Sequence, residues 1–541
     1  MYTPLSLVIL DFETQIKNNK HYIIKTGILV ETPERQTLKI YSFTRDLHIY
    51  MEDVLNDIIR FSSSKGKIIL YSHNLSKFDG PLLLKFFIRS STIKIRKLLN
   101  VDNKIVFLEI EFKNRVFILK DSLRLFPKSL KKLSRLFVTI DKDKLPINPR
   151  LICTPPKILN SYLRKDLKIV KTFLKKFNLI LDKNYDLCVY DYLGIPTLGI
   201  SLLKKFSNNQ SFKIPNKRIK KFIRRSYKGG ILFSKAGKSG PITHYDINSL
   251  YAFSMLNKQP WGRPRLSRSL EMSDMFGFVQ IRDLKVVKGL NFINENRTHY
   301  FSEELKFMKS LGISFSIVKS YQFNYSYKIL NKFSNSFYRN KQENVNFPET
   351  LSKVILNSTY GKLGVKQNLD LTPITQNTQN MYTPNFLRNI PNHNQPIENN
   401  LTSVALASSI SAYSRITMSQ YLFSKDMKIN YVNTDSLISG SSIKKFPVND
   451  ILGSFKKSTP IYYDRGVYIN LKSFILSNFK SRSSKIKGTM FGQEENLEYL
   501  LYSTYQNFYE PRWYSEQTNI FTQTRKIRFG LTFNPKAIRR K

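Results

Sequence analysis

Lys353-Val354-Ile355-Leu356-Asn357-Ser358-Thr359-Tyr360-Gly361 is the most specific stretch in the chain. Lys353, Asn357 and Tyr360 stand at i, i+4 and i+7, so a helix lays them along one face. A cation there can meet a triphosphate, the ring of Tyr360 can stack at a base pair, and Gly361 lets a nucleic-acid strand pass close to the backbone. A surface helix ending in glycine is the plainer reading, but it requires none of these residue types.

Chemistry-bearing residues continue on both sides of this stretch. Asp246 follows the strand-like run 242–245 and opens Asp246-Ile247-Asn248-Ser249-Leu250-Tyr251. Downstream lies Tyr431-Val432-Asn433-Thr434-Asp435-Ser436. Near the N-terminus, Asp11 and Glu13 follow the apolar run 5–10, so on a strand both side chains emerge on one face. Such a pair can hold a divalent ion, although it is also an ordinary solvated strand end. Asp79 in His73-Asn74-Leu75-Ser76-Lys77-Phe78-Asp79-Gly80 can enter the same site, with Asn74 holding a backbone, or it can belong to a simple turn. Tyr162 and Asp166 are four apart on one helical face, while Leu163, Leu167 and Val170 form the buried stripe.

Composition limits the partners. The chain has 541 residues, 41% of them hydrophobic, enough for several packed domains. Lys and Arg number 87 against 39 Asp and Glu, a net charge of +48 spread along the chain, which makes a polyanion the natural partner. Aromatic residues at 13% suit stacked single-stranded bases. An AT-rich coding sequence also enriches Lys, Asn, Ile, Phe and Tyr, so composition alone leaves both readings open. Cys153 and Cys188 are the only cysteines and the six histidines are scattered, which excludes a disulfide framework and a Cys/His zinc site. A catalytic metal would therefore sit on carboxylates. With no apolar run of about eighteen residues, no membrane partner is expected. With Asp11 so near the start, no cleaved leader is expected.

The N-terminal third alternates strand-like runs (5–10, 67–71, 106–112, 115–119) with helical ones such as 163–177, an α/β pattern ending near residue 190. Residues 204–225 read as a basic connector leading to Tyr227-Lys228-Gly229-Gly230, where a second domain starts. Residues 363–402 are polar and weakly periodic, as an insertion or long β-loop would be, between helical patterns.

Taken in order, D-x-E, D and Y-x-x-x-D resemble the DEDD exonucleases with a Tyr in the last motif, the proofreading domain of family B DNA polymerases. Residues 246–251 are similar to motif A of that family, D-x-x-S-L-Y; 353–361 to motif B, K-x-x-x-N-S-x-Y-G; and 431–436 to motif C, Y-x-D-T-D-S. The resemblance implies an α/β plus α+β multidomain fold, an RNase H-like 3′–5′ exonuclease followed by a right-hand polymerase with palm, fingers and thumb. It implies two Mg²⁺ or Mn²⁺ ions at each active site. At the exonuclease site Asp11, Glu13, Asp79 and Asp166 would be ligands and Tyr162 would orient the nucleophile. Asn74, Phe78, Ser122 and Leu123 would position single-stranded DNA, with Lys131 or Lys132 near the scissile phosphate. At the polymerase site Asp246, Asp435 and the Ile247 carbonyl would hold metal. Tyr251 would exclude a ribose, and Lys353, Asn357, Tyr360 and Lys341 would bind the deoxynucleoside triphosphate. Tyr227, Gly229, Gly230, Gly361, Thr434, Lys472 and Phe474 would contact DNA.

Three departures stand out. Ala252 replaces the usual proline after motif A, Asn433 the first aspartate of motif C, and Phe474 the tyrosine of K-x-Y. Loss of a charge at 433 predicts slower or more metal-demanding catalysis.

The motifs run from Asp11 to Phe474. Extra sequence between A and B and between B and C resembles the terminal-protein-region insertions of protein-primed polymerases. The expected division is 1–190 exonuclease, 191–260 linker and first palm part, 261–330 first insertion, 331–362 fingers, 363–402 second insertion, 403–490 second palm part and 491–541 thumb. The expected function is DNA-directed DNA polymerase with proofreading, replicating a linear element by strand displacement. Its partners would be primer-template, single-stranded DNA and a separately encoded terminal protein. A mitochondrial linear plasmid would suit the length and composition; otherwise the protein is expected to be intracellular. The competing reading is a nuclease whose polymerase half has decayed into a nucleic-acid-binding module. An RNA polymerase or reverse transcriptase is disfavoured by Tyr251 and by the 353–361 pattern.

Overall fold

The computed structural model describes residues 6–138, 156–365, 371–372, 402–478, 483–487 and 505–530, except 18–19, 44–46, 64–65, 102–103, 208–214, 236, 268–270, 286–296, 328–329, 344–346, 424–427, 441–446, 471–472 and 517–518. The apolar runs of the N-terminal third form one mixed sheet. In spatial order its central strands are Ile93–Val101, Lys104–Phe112, Arg115–Asp121, Ile68–Ser72, Leu7–Lys17 and Lys20–Glu31. Ile68–Ser72 is parallel to both neighbours, and the other pairs are antiparallel. Period-two alternation assigns the faces. Val8, Leu10 and Phe12 pack with helices Leu47–Phe61 and Asp79–Arg89, while Leu7 and Ile9 pack with the long helix Pro156–Tyr185. The first strand does not stop before the carboxylates: Asp11 and Glu13 lie within it, ahead of a register shift at Glu13/Thr14.

Helix Pro156–Tyr185 seats closely because of one glycine. Gly27 pairs with Asp11 across the sheet, and a Cβ on it would lie 2.8 Å from both Leu163 Cγ and Leu167 Cδ1. The helix also packs in the opposite direction. Its apolar residues share one core with helices Ile195–Phe206, Asn331–Glu343 and Glu349–Gly364. Phe177 meets Phe347 edge-on at 6.0 Å, and Tyr185 stacks on Phe337 and Phe347 at 6.1 and 5.9 Å.

A second, five-stranded antiparallel sheet follows the order Ile461–Tyr463, Ile242–Asp246, Ser436–Ser439, Ile429–Asn433, Leu232–Ser234. Helix Val404–Leu422 covers it through Met418, Tyr421 and Leu422, which pack with Tyr245, Ile247 and Val432. A third sheet, Gln259–Ser267, Ser314–Tyr327, Gly277–Lys285 and His299–Phe301, carries helix Ser302–Ser310. Residues 204–225 are not a plain connector: Lys217–Ser226 is a helix capped by the Asn216 side chain, which accepts from Ile219 N at 2.9 Å. Its buried contact is made by Ile223, with Ile219 and Phe222 packed beside it, and the remaining faces are basic. Of 363–402, positions 366–370 and 373–401 lie outside the described residues; Leu371–Thr372 pairs with Leu98 and Leu99. Among the described residues no helix is long and apolar enough to cross a membrane.

The tight seat at Gly27 gives a direct test. Gly27→Val should overpack against Leu163 and Leu167 and cost about 1–3 kcal/mol, read as a lower denaturation midpoint. Gly240→Ala, exposed and with nothing within 4 Å of an added Cβ, serves as a backbone control.

Candidate active sites

Two separate clusters of carboxylates are built by this scaffold. The first lies where helix Pro156–Tyr185 crosses strand Leu7–Lys17. With the helix seated on Gly27, Tyr162 and Asp166 come to Asp11 and Glu13. Burial, then the charges of Asp166, Glu13 and Asp11, push the Tyr162 phenol well above its ordinary range, and it hydrogen-bonds Asp166. Asp79 opens helix Asp79–Arg89, is 1% exposed, and accepts from Ser72 Oγ. Burial raises it to about 7 against the Ser72 hydrogen bond, and the charge of Asp121 adds to the rise.

The residues expected to hold single-stranded DNA border this cluster. Asn74 has a left-handed backbone (φ 77°), and Phe78 N donates to its carbonyl at 3.0 Å. Phe78 meets the His21 ring edge-on at 5.3 Å. Ser122 Oγ lies 2.9 Å from His73 Nδ1. Lys131 and Lys132 are both exposed. The residue that joins these segments was not anticipated. Buried Asp121 accepts from Asn74 N (2.9 Å) and Leu123 N (2.9 Å) on Oδ1 and from Ser76 N (3.0 Å) on Oδ2. Its place directly before Ser122 was the available signal.

The second cluster lies on the five-stranded sheet. Asp246 pairs opposite Ser436, and Ile247 N donates to the Asp435 carbonyl at 2.7 Å, which sets the two aspartates side by side at the strand ends. Asn433 and Ser436 close the hairpin, with Thr434 left-handed at φ 60°. Asn433 is well accommodated, since its Oδ1 accepts from Thr434 Oγ1 at 3.4 Å and its side chain hydrogen-bonds the Tyr431 hydroxyl. Asn248 N donates to Ser454 O (2.8 Å) and Lys456 N to Asp246 O (2.9 Å), a bridge that leaves the Ile247 carbonyl outside it.

Tyr251 stacks on Tyr360 with centroids 4.0 Å apart at 21°. Tyr360 is 8% exposed, so it faces inward, and the exposed stripe of its helix is Lys353, Asn357 and Gly361. Lys341 comes from the neighbouring helix, its Nζ 3.4 Å from Ser249 Oγ. Burial, then the charges of Lys456 and Lys353, make its ammonium easier to deprotonate, while Glu349 and Asp246 oppose this. Ala252 lies within the short helix Leu250–Ser254, where its carbonyl accepts from Ser334 Oγ at 2.7 Å. Phe474, expected at DNA, is instead 1% exposed and packs edge-on against Tyr431 at 4.9 Å, a core position open to it without the hydroxyl. Lys472 lies outside the described residues.

The connector between the clusters is held by buried charge. Arg415, on helix Val404–Leu422, donates to the carbonyls of Lys228 (2.8 Å) and Gly229 (2.9 Å). It also forks onto Glu304 at 2.7 and 2.9 Å, and Arg297 forks onto the same carboxylate at 2.7 and 2.8 Å while donating to Ser226 O at 3.1 Å. Burial works against ionisation of Glu304, but the two arginines outweigh it and hold the carboxyl at about 2. Gly230 then fits against the hairpin turn, where a Cβ would lie 2.7 Å from Thr434 Cγ2. No local sequence pattern marks this triad, because Arg415 lies 111 residues from Glu304.

Asp79 Oδ1 is buried without a hydrogen-bond partner among the described residues, and Asp246 carries the Lys456 ammonium. As the side chains stand, no three His, Cys, Asp or Glu among the described residues are grouped to hold a metal ion.

The family described as "DNA polymerase type B, organellar and viral" matches residues 59–149 and 157–436. A probable DNA polymerase of Ascobolus immersus is 26% identical over 538 residues, covering 82% of this chain and 43% of that protein. A probable DNA polymerase of Podospora anserina is 23% identical over 376 residues, 58% of this chain and 31% of that protein. The DNA polymerase of Streptococcus phage Cp-1 is 22% identical over 412 residues, 66% and 69% of the two chains. The chain thus spans 31–47% of the length of the fungal relatives it matches. In fold it is similar to Phi29 DNA polymerase complexed with primer-template DNA and incoming nucleotide substrates, with a TM-score of 0.72, 17% identity, and coverage of 98% of this chain and all of that one.

The triad makes stability depend on pH in a defined window. The folded pKa of Glu304 lies below its ordinary 4.5, so the stabilisation is complete above that value and is lost as pH falls from about 4.5 toward about 2. Glu304→Gln leaves two buried guanidinium groups facing a neutral amide and should cost about 3–5 kcal/mol at neutral pH. The difference from the native chain should narrow across that acid window in denaturant titrations.

Proposed function

The chain belongs to the type B DNA polymerases of organelles and viruses, and from that premise we propose that it is a DNA-directed DNA polymerase carrying a 3′–5′ proofreading exonuclease. One observation carries the proposal: strand Ile242–Asp246 pairs with Ser436–Ser439 so that Asp246 and Asp435 end side by side. The domain division set out from the sequence is proposed with it. The family's organellar and viral membership and the fungal relatives support copying in an organelle, and the extra sequence between motifs A and B and between B and C is the ground for a linear template primed by a separately encoded terminal protein.

Asp246, Asp435 and the Ile247 carbonyl would hold Mg²⁺ or Mn²⁺ in the polymerase site, and Asp11, Glu13, Asp79 and Asp166 would hold it in the exonuclease site. Bound there, the ions would supply Lewis-acid stabilisation of the attacking and leaving oxygens. The chain's own residues do the rest. Lys341 and Lys353 meet the triphosphate as point charges. Tyr251, fixed by its stack on Tyr360, stands as a rigid wall at the sugar, so a ribose 2′-OH has no space to enter. Gly361 lies open on the exposed stripe, where a template backbone can approach. In the other cluster, Asp121 holds the Asn74 and Ser122 segments as one clamp on a single-stranded 3′ end. Its hydrogen bonds are satisfied within the protein, so the clamp is formed before DNA arrives.

Two sites imply two separable losses. Asp246→Asn or Asp435→Asn should abolish Mg²⁺-dependent extension of a DNA primer, by roughly a thousandfold or more, while 3′ degradation of single-stranded DNA continues. Asp11→Ala with Glu13→Ala should do the reverse. Extension that survives either palm substitution in a gel-based primer assay would exclude the assignment, and would also leave the decayed-polymerase reading without its premise.

A further inference from the structure

Lys456 is built into the polymerase cluster, although no motif names it. Its amide donates to Asp246 O at 2.9 Å, and three residues on, Thr459 Oγ1 accepts from Asp246 N at 3.2 Å and donates to Lys456 O at 3.0 Å. The residue before it, Phe455, is fully buried in the core beneath the sheet. The segment is therefore laced to the backbone on both sides of Asp246, and the ammonium of Lys456 is ion-paired with Asp246 Oδ2, both side chains 23% exposed. This is a fixed counterion, unlike a lysine that reaches in from a mobile surface.

Lys341 feels the charges of Lys456 and Lys353 and, with the opposite sign, those of Glu349 and Asp246. Asp435 adds one negative charge, and Asn433 adds none. Three lysine ammonium groups are thus gathered in this cluster. A divalent ion approaching Asp246 Oδ2 meets an oxygen already holding an ammonium, and two cations cannot share it without strong repulsion. An incoming polyphosphate meets three lysine ammonium groups that can turn to it.

We propose that Lys456 is a transferable counterion: it neutralises Asp246 until a divalent ion displaces it, and it then moves onto the triphosphate of the incoming nucleotide. It is thereby a third nucleotide-positioning lysine. The proposal rests on the reading of Asp246 as a polymerase-site carboxylate. Two consequences follow by linkage, because any group that competes with one ligand and attracts another biases both affinities. Lys456 weakens metal binding in the absence of nucleotide, and it strengthens polyphosphate binding in the absence of metal. Among the described residues Lys456 is the one lysine ion-paired with Asp246, which sets it apart from Lys341.

The test uses the full chain bearing Asp11→Ala and Glu13→Ala, so that the exonuclease site contributes little metal binding. Lys456→Met keeps the aliphatic stem and removes the charge. Mn²⁺ binding without nucleotide, followed by the electron paramagnetic resonance of free Mn²⁺, should tighten roughly tenfold. Inorganic tripolyphosphate binding in EDTA, followed by calorimetry, should weaken by roughly the same factor. Lys456→Arg, which retains the charge, should change both by less than about threefold. The proposal is overturned if the Met variant leaves either affinity unchanged, or if Met and Arg variants behave alike. If Asp246→Asn abolishes both extension and the Mn²⁺ binding while Lys456→Met alters neither affinity, the counterion idea fails and the polymerase reading stands. If Asp246→Asn spares extension, the underlying reading itself fails.

Discussion

Everything around Asp246 and Asp435 depends on the register between Ile242–Asp246 and Ser436–Ser439. Side chains alternate faces along a strand, so a slip of one residue would turn Asp246 into the core and bring Tyr245 to the surface. The register is held from several directions. Tyr245, Ile247, Val432 and Leu437 are buried against helix Val404–Leu422 on one side. Thr459 and Lys456 grip the backbone of Asp246 on the other. At the turn, Gly230 admits Thr434 at a distance no larger residue would tolerate. A carboxylate pair that repels itself is thus fixed by apolar burial and backbone hydrogen bonding, neither of which depends on charge.

The Arg297–Glu304–Arg415 triad performs a related task for the segment that joins the halves. Carbonyls of Ser226, Lys228 and Gly229 point inward and need donors, because an extended chain there has no ladder partner of its own. Guanidinium groups satisfy them, and Glu304 neutralises the guanidinium groups. Removing any member leaves the others charged and dry, so the three behave as a unit. Helix Ser302–Ser310 and the sheet that carries it are thereby tied to the connector as well as to helix Val404–Leu422.

Much of the site was legible in the sequence, for a physical reason. Asp11, Glu13, Asp79, Tyr162 and Asp166, and likewise Asp246, Lys353, Asn357, Tyr360 and Asp435, are residue types that their chemistry demands at spacings a strand or helix imposes. The strand runs and the long helix were legible by period alone. What could not be read were contacts between segments remote in sequence. Asp121, Lys456 and the triad have no periodic signature, and Gly27 is informative only once Leu163 and Leu167 are known to press on it. Within the connector, helix Lys217–Ser226 is not legible as a helix, because one that buries little more than Ile223 carries too narrow an apolar stripe to stand out from a basic run. The inward turn of Tyr360 escaped for a subtler reason. Residues three and four apart share a face only approximately, and its partner Tyr251 lies more than a hundred residues away.

Helix Pro156–Tyr185 has a consequence beyond positioning Asp166. Its residues are packed on the N-terminal sheet on one side and among Phe337, Phe347 and the finger-like helices on the other, within a single continuous core. Close-packed interiors do not slide without losing that packing. In the proposed enzyme the two sites are therefore mounted on one chassis, and correcting an error cannot rely on one half swinging toward the other. The growing strand has to make the journey itself. The timing of that journey is then set by the nucleic acid, by how readily the last base pairs fray, so that a mispaired end reports its own mistake by coming loose.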